Sequence, residues 1–375
     1  MSAAARDGAA ARDEGPPDRL RRLRRSARSG LLRLLAGRFG DGSAPLPDLR
    51  QARRILLVYV NQRLGNTLVA TAGLAAVARC LPDAELSFVG GAPAPALLRG
   101  FPLARVHAVG RRDSLRPWRL WRLARTLRRE GYDAAIHLST ATGSLGAFLV
   151  GASGAPHRLG VQRADGNVFF SSAVAAPEAR HKVDELLGYL RRLGLAAEGE
   201  RTLALAPDER AEGAASLRAL VGEPAGGCVA LFVGARARKQ KGWPLDAFAR
   251  VAAGLRARGV APLVFLGPEE LAREAEIRAA LGDAAFVAEP DARRVGALLA
   301  ACRAVLTPDA GPMHLAIAAG APTVAVFSRA NFDRWGPRPP KGVVLLDPEG
   351  ARADRALDAL LAAAAGTPFE ESPLR

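Results

Sequence analysis

The strongest constraint in this sequence is an alternation that occurs twice. Short apolar or β-branched runs are each followed by a longer stretch with helical spacing. The first series runs through "RILLVYV", "ELSFVGG", "ARVHAVG", "DAAIHLS" and "HRLGVQ"; the second runs through "CVALFVGA", "APLVFLGP", "AAFVAE", "AVLTPD" and "PTVAVFS". Strands separated by helices make the crossovers of a parallel sheet. Helices are expected from Leu68 to Cys80, Ala94 to Arg99, Pro117 to Glu130, Ser144 to Val150 and His181 to Leu195 in the first half. In the second they are expected from Pro244 to Arg258, Glu269 to Leu281, Ala292 to Cys302 and Pro312 to Ala319. Between the halves, polar sequence up to about Gly227 reads as a connection with one short helix.

A chain of 375 residues exceeds the size of one hydrophobic core. The expected organisation is an N-terminal arm over 1–50, a first α/β domain over 51–205 and a second over 206–375. Both are doubly wound, with a cleft where the carboxyl edges of the two sheets face each other.

Several function classes lose support at once. No apolar run reaches the length of a spanning helix, and "MSAAARDGAAARDEGPPDRL" lacks the apolar centre of a signal peptide, so a cytoplasmic location is expected. Cys80, Cys228 and Cys302 are odd in number and lack CxxC spacing, which argues for buried thiols rather than disulfides or zinc. Neither GxGxxG nor GxxxxGK[ST] follows a strand, and no GxSxG occurs.

The net charge of +16 and pI near 11.1 either draw an anionic partner or reflect Arg spread over every solvated face. Two segments cluster the charge. "RLRRLRRSARSGLLRLLAGRF" (Arg19 to Phe39) reads as a basic amphipathic helix for an anionic membrane or as a disordered basic arm. In "RRDSLRPWRLWRLARTLRREGYD", Arg116, Arg119, Arg122 and Arg125 form a sloping ridge beside Trp118 and Trp121, which face a lipid interface or pack on a neighbouring surface. Nucleic acid is not expected as a partner, because aromatics at 5% supply no stacking platform and no reading module is visible.

Chemistry concentrates at strand ends. "AVLTPDAGPMHLAIAAG" reads as a strand ending at Thr307, a turn through Asp309, Ala310 and Gly311, and a helix beginning at Pro312. Helix N-terminal amides at such a turn suit a phosphate. Asp309 either caps the helix or binds a sugar hydroxyl; His314 either faces the same ligand or fills the core. In "LFVGARARKQKGWPLDAF", Arg236, Arg238, Lys239 and Lys241 form a phosphate clamp or a set of solvated charges. In "VFLGPEELAREAEI", Glu269 or Glu270 is placed to accept from a ribose hydroxyl or simply biases a helix N-terminus. In "LLVYVNQRLGNTLVATAGLAAV", a loop puts Arg63, Gly65, Asn66 and Thr67 at the edge facing the cleft.

Together with "RHKVDELLGYLRRLGL", these segments resemble glycosyltransferase family 9, the heptosyltransferases of the lipopolysaccharide inner core, over about Arg53 to Leu346. "DAGPMHLAIAAGAPTVAVF" after a "KGWP" segment is the specific part. The resemblance implies a GT-B fold with ADP-heptose held mainly by the second domain and an anionic lipid-linked glycan acceptor by the first. It also implies inversion in one displacement, without metal or other cofactor, by a cytoplasmic enzyme held peripherally at the inner membrane. Carried onto this sequence, Lys241 contacts donor phosphate, with Arg236 and Lys239 beside it. Asp309 binds heptose hydroxyls, Ala310 and Gly311 cradle the diphosphate, His314 supports that turn and Glu270 meets the adenosine ribose.

One position departs from the family pattern. The family's N-terminal loop reads LGD, with the Asp as general base, whereas this chain has Asn66, and an amide has no useful basicity near neutral pH. Three readings stay open: Asp165 or Asp184 takes the proton, the acceptor's own phosphate or water does, or the chain is a silent nucleotide-sugar-binding scaffold.

Overall fold

The computed structural model describes residues 39–113, 116–140, 144–163, 166–234 and 242–374. The first series forms β1 (Arg54–Tyr59), β2 (Glu85–Gly91), β3 (Leu103–Val109), β4 (Ala134–His137), β5 (His157–Val161) and β6 (Ser172–Val174), ordered β3-β2-β1-β4-β5-β6. The second forms β7 (Cys228–Phe232), β8 (Ala261–Phe265), β9 (Ala285–Val287), β10 (Ala304–Pro308), β11 (Thr323–Phe327) and β12 (Gly342–Leu346), ordered β12-β11-β10-β7-β8-β9. All pairings within both sheets are parallel. In each sheet the strand order reverses beside the first strand, between β1 and β4 and between β7 and β10. Connections leaving such a point diverge to opposite faces and open a crevice at the carboxyl edge.

The apolar strands are explained by helices on both faces. In β1, Ile55 and Leu57 pack with Leu74 of α1 (Leu64–Cys80). The alternate residues Leu56 and Val58 pack with Leu127 of α3 (Pro117–Glu130) and Val150 of α4 (Ser144–Ala152). The short α2 (Ala94–Leu97) follows β2, and α5 (Lys182–Arg192) lies against α1. In the second half, Val229 and Leu231 of β7 pack with Phe248 of α7 (Leu245–Arg256) and Leu360 of a late helix, Ala353–Ala364. Each fully buried Leu or Ile contributes about 1.5–3 kcal/mol, so two separately covered sheets are well supported.

The second half also contains α6 (Pro207–Val221), α8 (Glu274–Leu281) and α9 (Ala292–Ala301). They are followed by α10 (Gly311–Ala319), α11 (Phe332–Trp335) and the late helix α12 (Ala353–Ala364). Helices α1 and α10 are buried around most of their circumference because they pack on each other as well as on their own sheets. Leu68 of α1 belongs to the same apolar cluster as Leu315 of α10, so the halves share core at this joint. Arg293 of α9 is a second tie. Its guanidinium donates to Arg99 O (2.9 Å) beyond α2, to Ala204 O (2.8 Å) and to Glu209 Oε1 (2.7 Å).

Several expectations require correction. Helix α1 starts at Leu64, not Leu68, so Gly65, Asn66 and Thr67 are its first turn rather than a loop. The connection contains the 15-residue α6, not a short helix. Only Gly213 and Leu217 of α6 are buried, because Gly213 lets the helix rest directly on the Ala297 backbone and little apolar stripe is needed. The stretch from Glu269 holds a 3-10 turn at Leu271–Arg273 before α8 begins. The edge strand β6, with three residues, leaves too short a pattern to read. Cys228 and Cys302 are buried, Cys80 is half-buried, and all three are free thiols.

Candidate active site

The carboxyl ends of β1 and β10 face each other across a cavity of about 450 Å³. Its first wall is the β1–α1 turn. Asn61 Oδ1 accepts from Arg63 N (3.0 Å), while Gln62 Nε2 donates to Val109 O (2.6 Å) and its Oε1 accepts from Ala92 N (3.2 Å). These bonds fix the backbone that delivers Arg63, Gly65 and Asn66 to the cavity. The opposite wall is Asp309, Ala310, Gly311 and His314, with Trp335 of α11 closing one side.

A second cavity of about 430 Å³ opens at the carboxyl ends of β7 and β8. Phe232 and Phe265, stacked at 4.6 Å and 21°, line it. Glu270 sits at its rim, where its Oε2 accepts from Gly267 N (3.1 Å). A Cβ on Gly234 would come within 2.1 Å of Glu270 Oε1, so glycine there vacates the notch that the carboxylate occupies. Both cavities share Leu64, Ala310 and Gly311. The shared rim is therefore the N-terminus of α10.

That terminus suits an anion. Ala310 is the N-cap and has no polar side chain to accept from the first-turn amides, and helix N-termini carry partial positive charge. Asp309 is consequently not the cap. It lies one residue earlier, its N–H donates to Val326 O (3.1 Å), and its mostly buried side chain lines the first cavity. Pro312 is the second helical residue, after Gly311, rather than the first.

His314 is buried, yet it lines the cavity. Trp335 packs edge-on against it (5.9 Å, 86°), and Arg201 Nη1 lies 2.7 Å from its Nδ1. Arg201, only 2% exposed, is held in turn by Glu200, whose Oε1 accepts from Arg201 Nε (2.9 Å). Burial works to raise the Glu200 pKa, but the charge and hydrogen bonds of Arg201, with a hydrogen bond from Arg338, outweigh it and hold it at about 2. His181 joins this group, with Nε2 3.1 Å from Gly336 O; burial, then Arg338 and Arg201, push it down to about 4.

The structure thus brings Arg63, Gly65, Asn66, Glu270, Asp309, Ala310, Gly311 and His314 to one cleft. Thr67 is not part of it: its side chain is buried and its hydroxyl donates to Arg63 O (3.2 Å). Asp184 does not line the cavity either, because Arg338 Nη1 binds both its oxygens (2.9 and 2.7 Å). Arg236, Lys239, Lys241 and Asp165 lie outside the described residues, as does the basic arm up to residue 38. Arg201 and Trp335 are additions. Neither carried a signal, since one is a lone Arg in polar sequence and the other belongs to a four-residue helix.

No curated protein sequence matches this chain. Among solved structures, it resembles a family 9 glycosyl transferase from Veillonella parvula (TM-score 0.70, 18% identity, covering 84% of this chain and 98% of that one). It also resembles E. coli ADP-heptose lipopolysaccharide heptosyltransferase II (0.70, 19%, 84% and 99%) and an E. coli heptosyltransferase with ADP (0.66, 19%, 83% and 99%). The two facing doubly wound halves are a GT-B fold. The model of glycosyltransferase family 9 (heptosyltransferase) matches residues 120–361. The chain belongs to that family and is a glycosyltransferase.

Proposed function

We propose that this glycosyltransferase moves a heptose from ADP-heptose onto an anionic, lipid-linked glycan of the lipopolysaccharide-core type, with inversion and without a metal. The observation that carries this reading is the shared rim. A nucleoside fits the apolar cavity by Phe232 and Phe265, the sugar fits the polar cavity by Asp309, and the diphosphate joining them crosses the amides of α10. In this reading residues 206–375 bind donor and residues 51–205 bind acceptor. Glu270 accepts from ribose, Asp309 from the sugar hydroxyls, and Lys241, with Arg236 and Lys239, neutralises phosphate.

In the displacement, an acceptor hydroxyl oxygen bonds to the anomeric carbon as the bond to the β-phosphate oxygen breaks, and ADP leaves. The hydroxyl proton goes to the acceptor's own phosphate, to water or to another acid; Asp184 is tied to Arg338 and lies off the cavity, and Asp165 lies outside the described residues. Trp118 and Trp121 of α3, 56% and 59% exposed among Arg119, Arg122 and Arg125, support peripheral contact with an anionic membrane. Among the described residues no helix is long and apolar enough to cross a membrane.

Titration with ADP and ADP-heptose, coupled to a turnover assay with a lipopolysaccharide-core acceptor, tests the reading. Binding with turnover supports it. Binding without turnover favours the silent scaffold that Asn66 motivates, and no binding overturns both.

A further inference from the structure

Resting on that reading of the cleft, we infer that Arg201 is a positioning residue that locks His314 as the Nε2-protonated tautomer. A neutral imidazole N–H, not a base, is thereby turned toward an oxygen of the bound diphosphate. A guanidinium carries only donors and stays charged, so at 2.7 Å from Arg201 Nη1 the Nδ1 of His314 must accept. In a neutral imidazole the one proton then sits on Nε2. A doubly protonated ring would set an N–H and a positive charge directly against the guanidinium.

Arg201 has little freedom to rearrange. Its backbone N and its Nε both donate to Glu200 Oε1 (2.9 Å each), and Nη1 also reaches Trp335 O (3.3 Å). Glu200 is itself held by Arg338 Nη2 (3.1 Å). The opposite edge of the imidazole lies against Gly65, which also lines the cavity: a Cβ there would come 2.5 Å from His314 Cδ2 and 3.2 Å from its Nε2. Among the described residues, Asp309 and Arg63 line the same cavity as the ring. His314 is the fourth residue of α10, in its first turn beside the amides of the shared rim. It therefore adds a side-chain donor where leaving-group charge develops. As a donor at Nε2, it is excluded as the base that Asn66 fails to supply.

The test uses the full chain with 15N-labelled histidine, the His314 signals being assigned by their loss in His314→Gln. The inference expects Nε2 protonated and Nδ1 an acceptor at neutral pH without ligand; an Nδ1-protonated ring or an imidazolium overturns it. Arg201→Met should mix the tautomers, and if that variant does not fold, the spectrum of the parent still decides. For the ligand half, Gln places an amide near the Nε2 position and Asn near the Nδ1 position. His314→Gln should bind ADP about 10-fold more tightly than His314→Asn, the worth of one hydrogen bond to a charged group. Equal affinities overturn the donor role. If the parent gives no heat with ADP, the transferase reading and the ligand half fall together, while the tautomer is decided by the spectrum alone.

Discussion

Gly65 and His314 come from helices of opposite halves and meet with no room for a Cβ between them, since a methyl on Gly65 would fall 2.5 Å from His314 Cδ2. Gly65→Ala should therefore displace His314, which Arg201 and Trp335 hold from the other sides. Alanine's helix propensity returns about 1 kcal/mol against an overpacking cost of up to about 3 kcal/mol, so a net loss of about 1–2 kcal/mol is expected. ADP affinity should fall several-fold in the same variant. Thermal melting and calorimetric titration check this; unchanged stability and affinity would mean the two helices part freely.

Asn66 faces the cleft from the first turn of α1. If the proton leaves by way of water or the acceptor's phosphate, Asn66→Ala should keep kcat within about 3-fold, less than general base catalysis is worth. Asn66→Asp raising kcat 100-fold or more, in that same range, would show that an acid at this position restores a missing base. Steady-state turnover distinguishes them.

Stability should fall as the solution is acidified, beginning well above the carboxylate range. His181 is pushed down to about 4 by burial, then Arg338 and Arg201, and His137 to about 3 by burial, then Arg163. From an ordinary value of 6.5 down to these values, the unfolded chain binds protons the folded chain does not, so folding weakens as pH drops through that window. Glu200, depressed to about 2, is fully stabilising above its ordinary 4.5 and loses that contribution as pH falls through 2. The melting temperature should decline from pH 6.5 to 4, and His181→Gln should flatten part of the decline. A flat profile in the parent would contradict it.

The buried Arg293 ties the Arg99 carbonyl beyond α2, the Ala204 carbonyl and the partly exposed Glu209 together. Arg293→Met should cost about 3 kcal/mol, because an ion pair broken on one side leaves Glu209 and several carbonyls unpaid. Arg338, half-exposed and paired with both Asp184 and Glu200, should cost less, about 1 kcal/mol, when it becomes Met. Denaturant midpoints compare the two, and equal losses would place the tie elsewhere.

Much of this architecture was legible because both sheets are covered on two faces. β1 and β7 read as strands since every core residue, from Ile55 to Val58 and from Val229 to Leu231, is apolar. The turn Asp309-Ala310-Gly311 was legible because a strand end, a small-residue turn and an apolar helix follow in order. What sequence periodicity hides is the close contact of one helix with another. Gly65 looks like a loop glycine until His314 is seen against it, and Gly213 weakens the pattern of α6 by letting it touch the α9 backbone. Arg201 sits in polar sequence, and only folding surrounds it with Glu200, His181, His314 and Trp335.

A crystal structure with ADP tests the central claim most directly. Diphosphate density is expected against the Gly311 amide at the α10 N-terminus, with the nucleoside in the cavity lined by Phe232, Phe265 and Glu270. Nucleotide bound on another surface, with the Ala310–Gly311 corner untouched, would contradict it.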